Sequence, residues 1–210
     1  RPRKVRRPAS DYKAIHKTLE LLRAADKPLI LAGNGAIRKR ASRHLTEFVT
    51  RHNIPVVSTF MGKGAVSDRR DQSLLSIGLG FKDYVMEAVA EADLILAVGY
   101  DIAEYPPQRW NPDAGKLIVH IDFDPAEVYR HYSPDVEVTG DISAALWELN
   151  EKLNNADLKY TNWYAPVRKR ILDDINSYRL QDKDAFTVPG VLLELRDMLD
   201  DEALLISDVG

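Results

Sequence analysis

Glycines punctuate this chain where chemistry could use them. GNG at 33–35, MGKG at 61–64, GLG at 78–80, Gly99 and GD at 140–141 lie at or just beyond the ends of short apolar runs. A glycine past the end of a strand lets backbone N–H groups approach a phosphate, and open α/β sheets bind such ligands at their carboxyl edge. The candidate cofactor-binding residues on that edge are Gly33, Gly35, Thr59, Gly78, Gly99, Asp122 and Asp141. The full dinucleotide fingerprint is missing. Arg38 stands at the third glycine position after Gly33 and Gly35, and the second run ends in Ser58 and Thr59 where an acidic residue would hold a ribose. A standard NAD site is therefore not expected. Plain tight turns account for any one of these glycines, but five such sites at run ends favour a nucleotide-fold edge.

Other chemistries find less support. Asp122 and Asp124 in HIDFDP could hold a metal or a ribose, or Asp124 could serve the turn before Pro125. The five histidines, at 16, 44, 52, 120 and 131, show no HExxH spacing, and no GxSxG elbow is present, so neither a metal site nor a catalytic residue is assigned. His120, inside the apolar run KLIVHID, reads as a hydrogen-bonded core histidine. The absence of cysteine excludes disulfides, thiolate metal sites and a cysteine nucleophile. With 29 basic against 32 acidic residues the net charge is −3, so no nucleic-acid partner is expected. Apolar runs such as LILAVG fall far short of the roughly 20 residues a membrane span needs, so no membrane partner is expected either. A cytoplasmic location fits this composition.

The elements that would position these residues follow from the spacing. PLILAG from 28, PVVST from 55, LLSIGLG from 74, DLILAVG from 93, KLIVHID from 116 and VEVTGD from 136 are short apolar strands. Between several of them lie helical patterns. Ser10 is predicted to cap a helix with Ile15, Leu19 and Leu22 on its face, ended by Pro28; Val85, Ala88 and Val89 mark another, and Ile142, Leu146, Leu149 and Leu153 a third. Continuous apolar strands alternating with amphipathic helices predict an α/β fold, a doubly wound, Rossmann-like parallel sheet of about six strands. A C-terminal helical extension follows, with Val167, Ile171 and Ile175 on one helix, Pro189 opening another, and ALLIS at 203–207 predicted as a strand. The expected organisation is a linker over 1–9, a central domain over 10–155, a linker with a helix over 156–188, and the start of a further domain over 189–210. The basic opening RPRKVRRPAS reads as an extended, proline-stiffened linker rather than a nucleic-acid arm.

Taken in order, LAGNG, PVVSTFMGKGA, ADLILAVGYD, IVHIDFDPAEV, PDVEVTGD and LLISDVG resemble the central domain of thiamine-diphosphate-dependent enzymes, most closely the acetolactate synthase large subunit. The resemblance runs almost continuously from Pro28 to Asp141, and LLISDVG is similar to the first strand of that family's third domain. It implies a full-length enzyme that uses thiamine diphosphate and Mg2+ to join two pyruvates with loss of carbon dioxide. It places the activating glutamate and the diphosphate-and-magnesium motif in the family's flanking domains, outside these 210 residues, so the chain is expected to be structural and inactive alone. Val209 and Gly210 match a stretch that approaches the thiamine cofactor. The implied partners are the flanking domains of the same subunit and, at full length, further copies in a homo-oligomer.

One departure bears on FAD, which the biosynthetic branch binds in this domain. That branch carries Arg-Phe-Asp-Asp-Arg after the glycine matching Gly99, whereas this chain reads GYDIAEYPPQRWNP, with Asp101 in place of the first arginine. An aspartate there reverses the local field that would meet cofactor phosphates. The run is similar to that of the catabolic, FAD-independent enzymes, although MGKGA and HIDFDPAEV resemble the biosynthetic branch. The expectation is a catabolic-like domain without FAD. The alternatives are an FAD-binding central domain of a biosynthetic enzyme or related carboligase, a stand-alone nucleotide-binding module, and a non-catalytic interaction domain.

Overall fold

The computed structural model describes residues 8–80, 82–154, 158, 160–179, 187–200 and 202–206. Six apolar runs become six parallel strands: β1 (Pro28–Ala32), β2 (Val56–Ser58), β3 (Ser73–Ser76), β4 (Leu94–Val98), β5 (Leu117–Asp122) and β6 (Val136–Thr139). Their order is β3-β2-β1-β4-β5-β6. The chain steps outward from β1 to β3 and then returns to lay β4 against β1, with Ile30 opposite Leu96 and Ala32 opposite Val98. That reversal opens a crevice at the carboxyl ends of β1 and β4. Every residue of β1 and β4 is buried, which is why both read as unbroken apolar runs rather than alternating ones.

Both faces of the sheet are covered. On one side α1 (Tyr12–Ala24), α2 (Lys39–His52) and α5 (Ile142–Lys152) bury Ile15, Leu45, Phe48, Leu146 and Leu149 against Ile30, Leu96 and Val119. A buried hydrogen bond, His52 Nε2 to Asn150 Oδ1 at 3.0 Å, ties α2 to α5. On the other side stand α3 (Val85–Glu91), the short α4 (Pro107–Trp110) and a buried aromatic cluster of Tyr100, Trp110 and Tyr132. The expected fold is therefore the observed one.

The described residues divide into two compact units, one up to Arg168 and one from Lys169 onward. In the first, Tyr164 is buried and its hydroxyl donates to Asn53 Oδ1 at 2.7 Å, while the Arg168 guanidinium donates to the carbonyls of Ser73 and Asp68. The second holds most of α6 (Ala165–Ser177) and all of α7 (Val188–Met198), which begins with Thr187 Oγ1 accepting from Gly190 N and has Pro189 in its first turn. No helix among the described residues is long and apolar enough to cross a membrane.

Three details differ from expectation. Asp11, not Ser10, caps α1, because its carboxylate accepts from Ala14 N at 3.1 Å, three residues on. That helix ends at Ala24, four residues before Pro28, which instead opens β1. Residues 203–206 form no strand: Leu204 and Ile206 are each 92% exposed, and no strand among the described residues pairs with them. An apolar run is not a strand until another supplies its ladder. The linker expected at 1–9 lies, up to residue 7, outside the described residues.

Candidate functional site

The carboxyl edge gathers the residues that the sequence singled out. Gly33 follows β1, Thr59 follows β2, Gly78 follows β3, Gly99 follows β4, Asp122 ends β5 and Asp141 follows β6. Val209 and Gly210 lie outside the described residues.

At the β1–β4 crevice the close approaches are made between protein backbones. Gly35 N donates to Gly99 O at 2.8 Å, and Gly33 N donates to Val98 O at 2.9 Å. A Cβ built on Gly35 would sit 2.7 Å from Gly99 Cα, and one on Gly33 would sit 2.4 Å from Gly99 O. Gly99 itself has φ +59°, in the left-handed region that side chains disfavour. These glycines let two strand-end loops interlock.

A carboxylate lies over the interlocked loops. Glu104 accepts from Asn34 N through both oxygens, at 3.0 and 3.1 Å, from Asp101 N at 3.2 Å and from Thr59 Oγ1 at 2.5 Å. Thr59 Oγ1 also accepts from Gly62 N at 2.9 Å, so its own proton is free for the carboxylate. Gly33 faces the same group, since a Cβ there would come within 2.9 Å of Glu104 Oε1. Open space remains to either side. A cavity of about 430 Å³ lies between Gly35 with Arg38 and Arg40 and, across it, Phe123 and the start of α5. An acidic hollow of about 180 Å³ is lined by Asp101, His120, Asp122, Asp124 and Glu127, among others.

Residues 15–149 match the family described as "Thiamine pyrophosphate enzyme, central domain". The chain belongs to that family. Among relatives it is 28% identical to the acetolactate synthase of Bacillus subtilis over 97% of this chain and 36% of the relative. It is 31% identical to the acetolactate synthase large subunit of Parasynechococcus marenigrum over 94% of this chain and 32% of the relative. The chain thus spans about a third of the length of the curated relatives it matches. A Mycobacterium smegmatis structure assigned to the thiamin diphosphate-dependent enzymes shares its fold, with a TM-score of 0.58 at 24% identity over 74% of this chain and 30% of that one.

Within this thiamine pyrophosphate enzyme central domain, the remaining edge residues have local roles. Asp141 caps α5, accepting from Ala144 N at 2.9 Å. His120 is 4% exposed; its Nε2 faces Asp124 O at 3.1 Å and so carries a proton, leaving Nδ1 to accept from Tyr132 Oη at 2.8 Å when the ring is neutral. Burial holds the Tyr132 hydroxyl well above its usual range, so that donor persists through neutral pH. No group of three His, Cys, Asp or Glu side chains among the described residues is placed to hold a metal ion.

Burial is also the main cause that raises the Asp122 carboxyl above the ordinary aspartate range. A raised acid binds its proton more tightly in the folded state. Its contribution therefore falls as pH rises from the unfolded value through the folded one, and at neutral pH the charged form works against folding. Asp122→Asn should shift the thermal midpoint at neutral pH upward relative to that at acidic pH, compared with the parent chain; an equal change at both pH values would show that Asp122 does not titrate with folding.

Glu104 was visible in the sequence only as one letter of a loop pattern. Its partner Asn34 lies 70 residues away, and nothing in the spacing GYDIAEY shows that the loop folds back over β1.

Proposed function

We propose that this chain is the central domain of an acetolactate synthase, a thiamine-diphosphate-dependent transferase that joins two pyruvates to give 2-acetolactate and carbon dioxide. The observation that carries the reading is the match along nearly the whole chain to proteins named acetolactate synthase, each about three times as long. In this reading residues 10–155 are the central domain, 1–9 and 156–188 connect it to its neighbours, and 189–210 begin the next domain. When bound, thiamine diphosphate supplies the electron sink for decarboxylation. Following the family resemblance, thiamine diphosphate and Mg2+ are assigned to the flanking domains, which are its partners within a cytoplasmic homo-oligomer.

The chain's own contribution is mechanical. Its interlocked loops hold the carboxyl edge as a fixed face, and the charge carried there at Asp101 and Glu104 supports the catabolic-like, FAD-free form. FAD does not fit the β1–β4 crevice as folded, because a carboxylate already takes the donors that a cofactor phosphate would use.

The test uses two proteins. The longer protein containing this chain, supplied with pyruvate, thiamine diphosphate and Mg2+, should form acetolactate, read as acetoin after acid decarboxylation, and the 210-residue chain should form none. Pyruvate left untouched by the longer protein would overturn the assignment, and turnover by the short chain would overturn the division of roles.

A further inference from the structure

Donors from three different strand-end loops converge on one point at the β1–β4 crevice. They are Asn34 N after β1, Thr59 Oγ1 after β2 and Asp101 N after β4. Doubly wound sheets hold the phosphates of a dinucleotide at this crevice with such donors. Here the anion they hold is the chain's own. We propose that Glu104 is an internal stand-in for a ligand phosphate and is the residue that sets this domain's exclusion of phosphate-bearing dinucleotides from the crevice.

Four observations converge on it. Four contacts from three donors run to the carboxylate oxygens, with both oxygens engaged, so the group is fixed in place rather than resting on a surface. Thr59 is fully buried and its hydroxyl is committed at both ends, accepting from Gly62 N and donating to Glu104. Gly33 leaves no room for a side chain between the donors and Glu104 Oε1. The loop that delivers Glu104 is anchored at its base, where Tyr100 Oη donates to Tyr105 O at 2.5 Å and accepts from Trp110 Nε1 at 3.2 Å. An incoming diphosphate would have to displace a carboxylate that is already in place and add its own charge beside Asp101.

The inference rests on the preceding reading only for the absence of FAD. Its test uses the 210-residue chain alone, so failure of the longer protein to make acetolactate leaves it standing. Removing the side chain should turn the donor cluster into an open anion site. Thermal midpoints of the parent chain, Glu104→Ala and Glu104→Gly are measured against sodium formate, sodium pyrophosphate and FAD, with chloride as the ionic-strength control. The parent should not respond beyond the chloride control. In the variants, formate or pyrophosphate at ten times its Kd should raise the midpoint by about 3–6 °C. FAD tests whether the opened site also admits a whole dinucleotide: midpoint stabilisation of a variant but not of the parent supports the proposal. A variant that melts cooperatively only when formate or pyrophosphate is present supports it equally. A folded variant as indifferent to all three ligands as the parent would overturn it, as would a parent stabilised as strongly as its variants or a variant that no anion restores.

Discussion

Gly99→Ala should cost this domain about 2–5 kcal/mol, a large share of the 5–15 kcal/mol typical of a folded domain. Two effects add. Gly99 has φ +59°, where an alanine Cβ meets its own backbone at a cost of about 1–2 kcal/mol. The same Cβ would also lie 2.4 Å from Ala36 N and 2.5 Å from Gly35 C, and those are backbone atoms that cannot rotate away. Forcing them apart strains the Gly35 N to Gly99 O hydrogen bond and the β1–β4 pairing behind it, an overpacking cost of about 1–3 kcal/mol. Gly64→Ala is the matched control, with φ +89° but no neighbour within 4 Å of the built Cβ, so it should cost only the backbone term, about 1–2 kcal/mol. Urea unfolding with comparable slopes reads both. Equal losses at the two positions would show that the loops are not interlocked as described.

That contrast marks how far the sequence could be read. Strand-end glycines were legible as a set, because an apolar run closing on glycine is a local signal. Which of them meets a ligand and which meets another loop was not, because Gly35 and Gly99 come together only through the long return of the chain from β3 to β4. The six strands were legible for a similar reason: burial on both faces writes itself into β1 and β4 as unbroken apolar residues. Helix α4 was not, since four residues carry no period and Pro106 and Pro107 mimic a loop. The run ALLIS misled because apolar character precedes pairing, and pairing is what makes a strand. Glu104 was hidden most deeply, as its four hydrogen bonds reach Asn34 and Thr59 across 70 and 45 positions as well as nearby Asp101.

Trp110→Ala should be the second large loss, about 3–5 kcal/mol for a buried tryptophan, and it bears on how Glu104 is held. The indole is 1% exposed and meets Tyr100 and Tyr132 edge-on, with ring centres 6.0 and 6.1 Å away. Burial drives the Tyr100 hydroxyl well above its usual range, so it stays protonated and donates to Tyr105 O while accepting from the indole N–H. Trp110→Phe keeps a ring and removes that donor. It should cost distinctly less, about 1–2 kcal/mol, since Tyr100 still has its carbonyl acceptor. Because this cluster pins both ends of the loop carrying Glu104, the two sites should not act independently. A cycle combining Trp110→Ala with Glu104→Gln, measured by urea unfolding, should show a coupling above about 0.5 kcal/mol. Strict additivity would mean that the loop holds its carboxylate in place without the aromatic anchor, and that Trp110 serves the core alone.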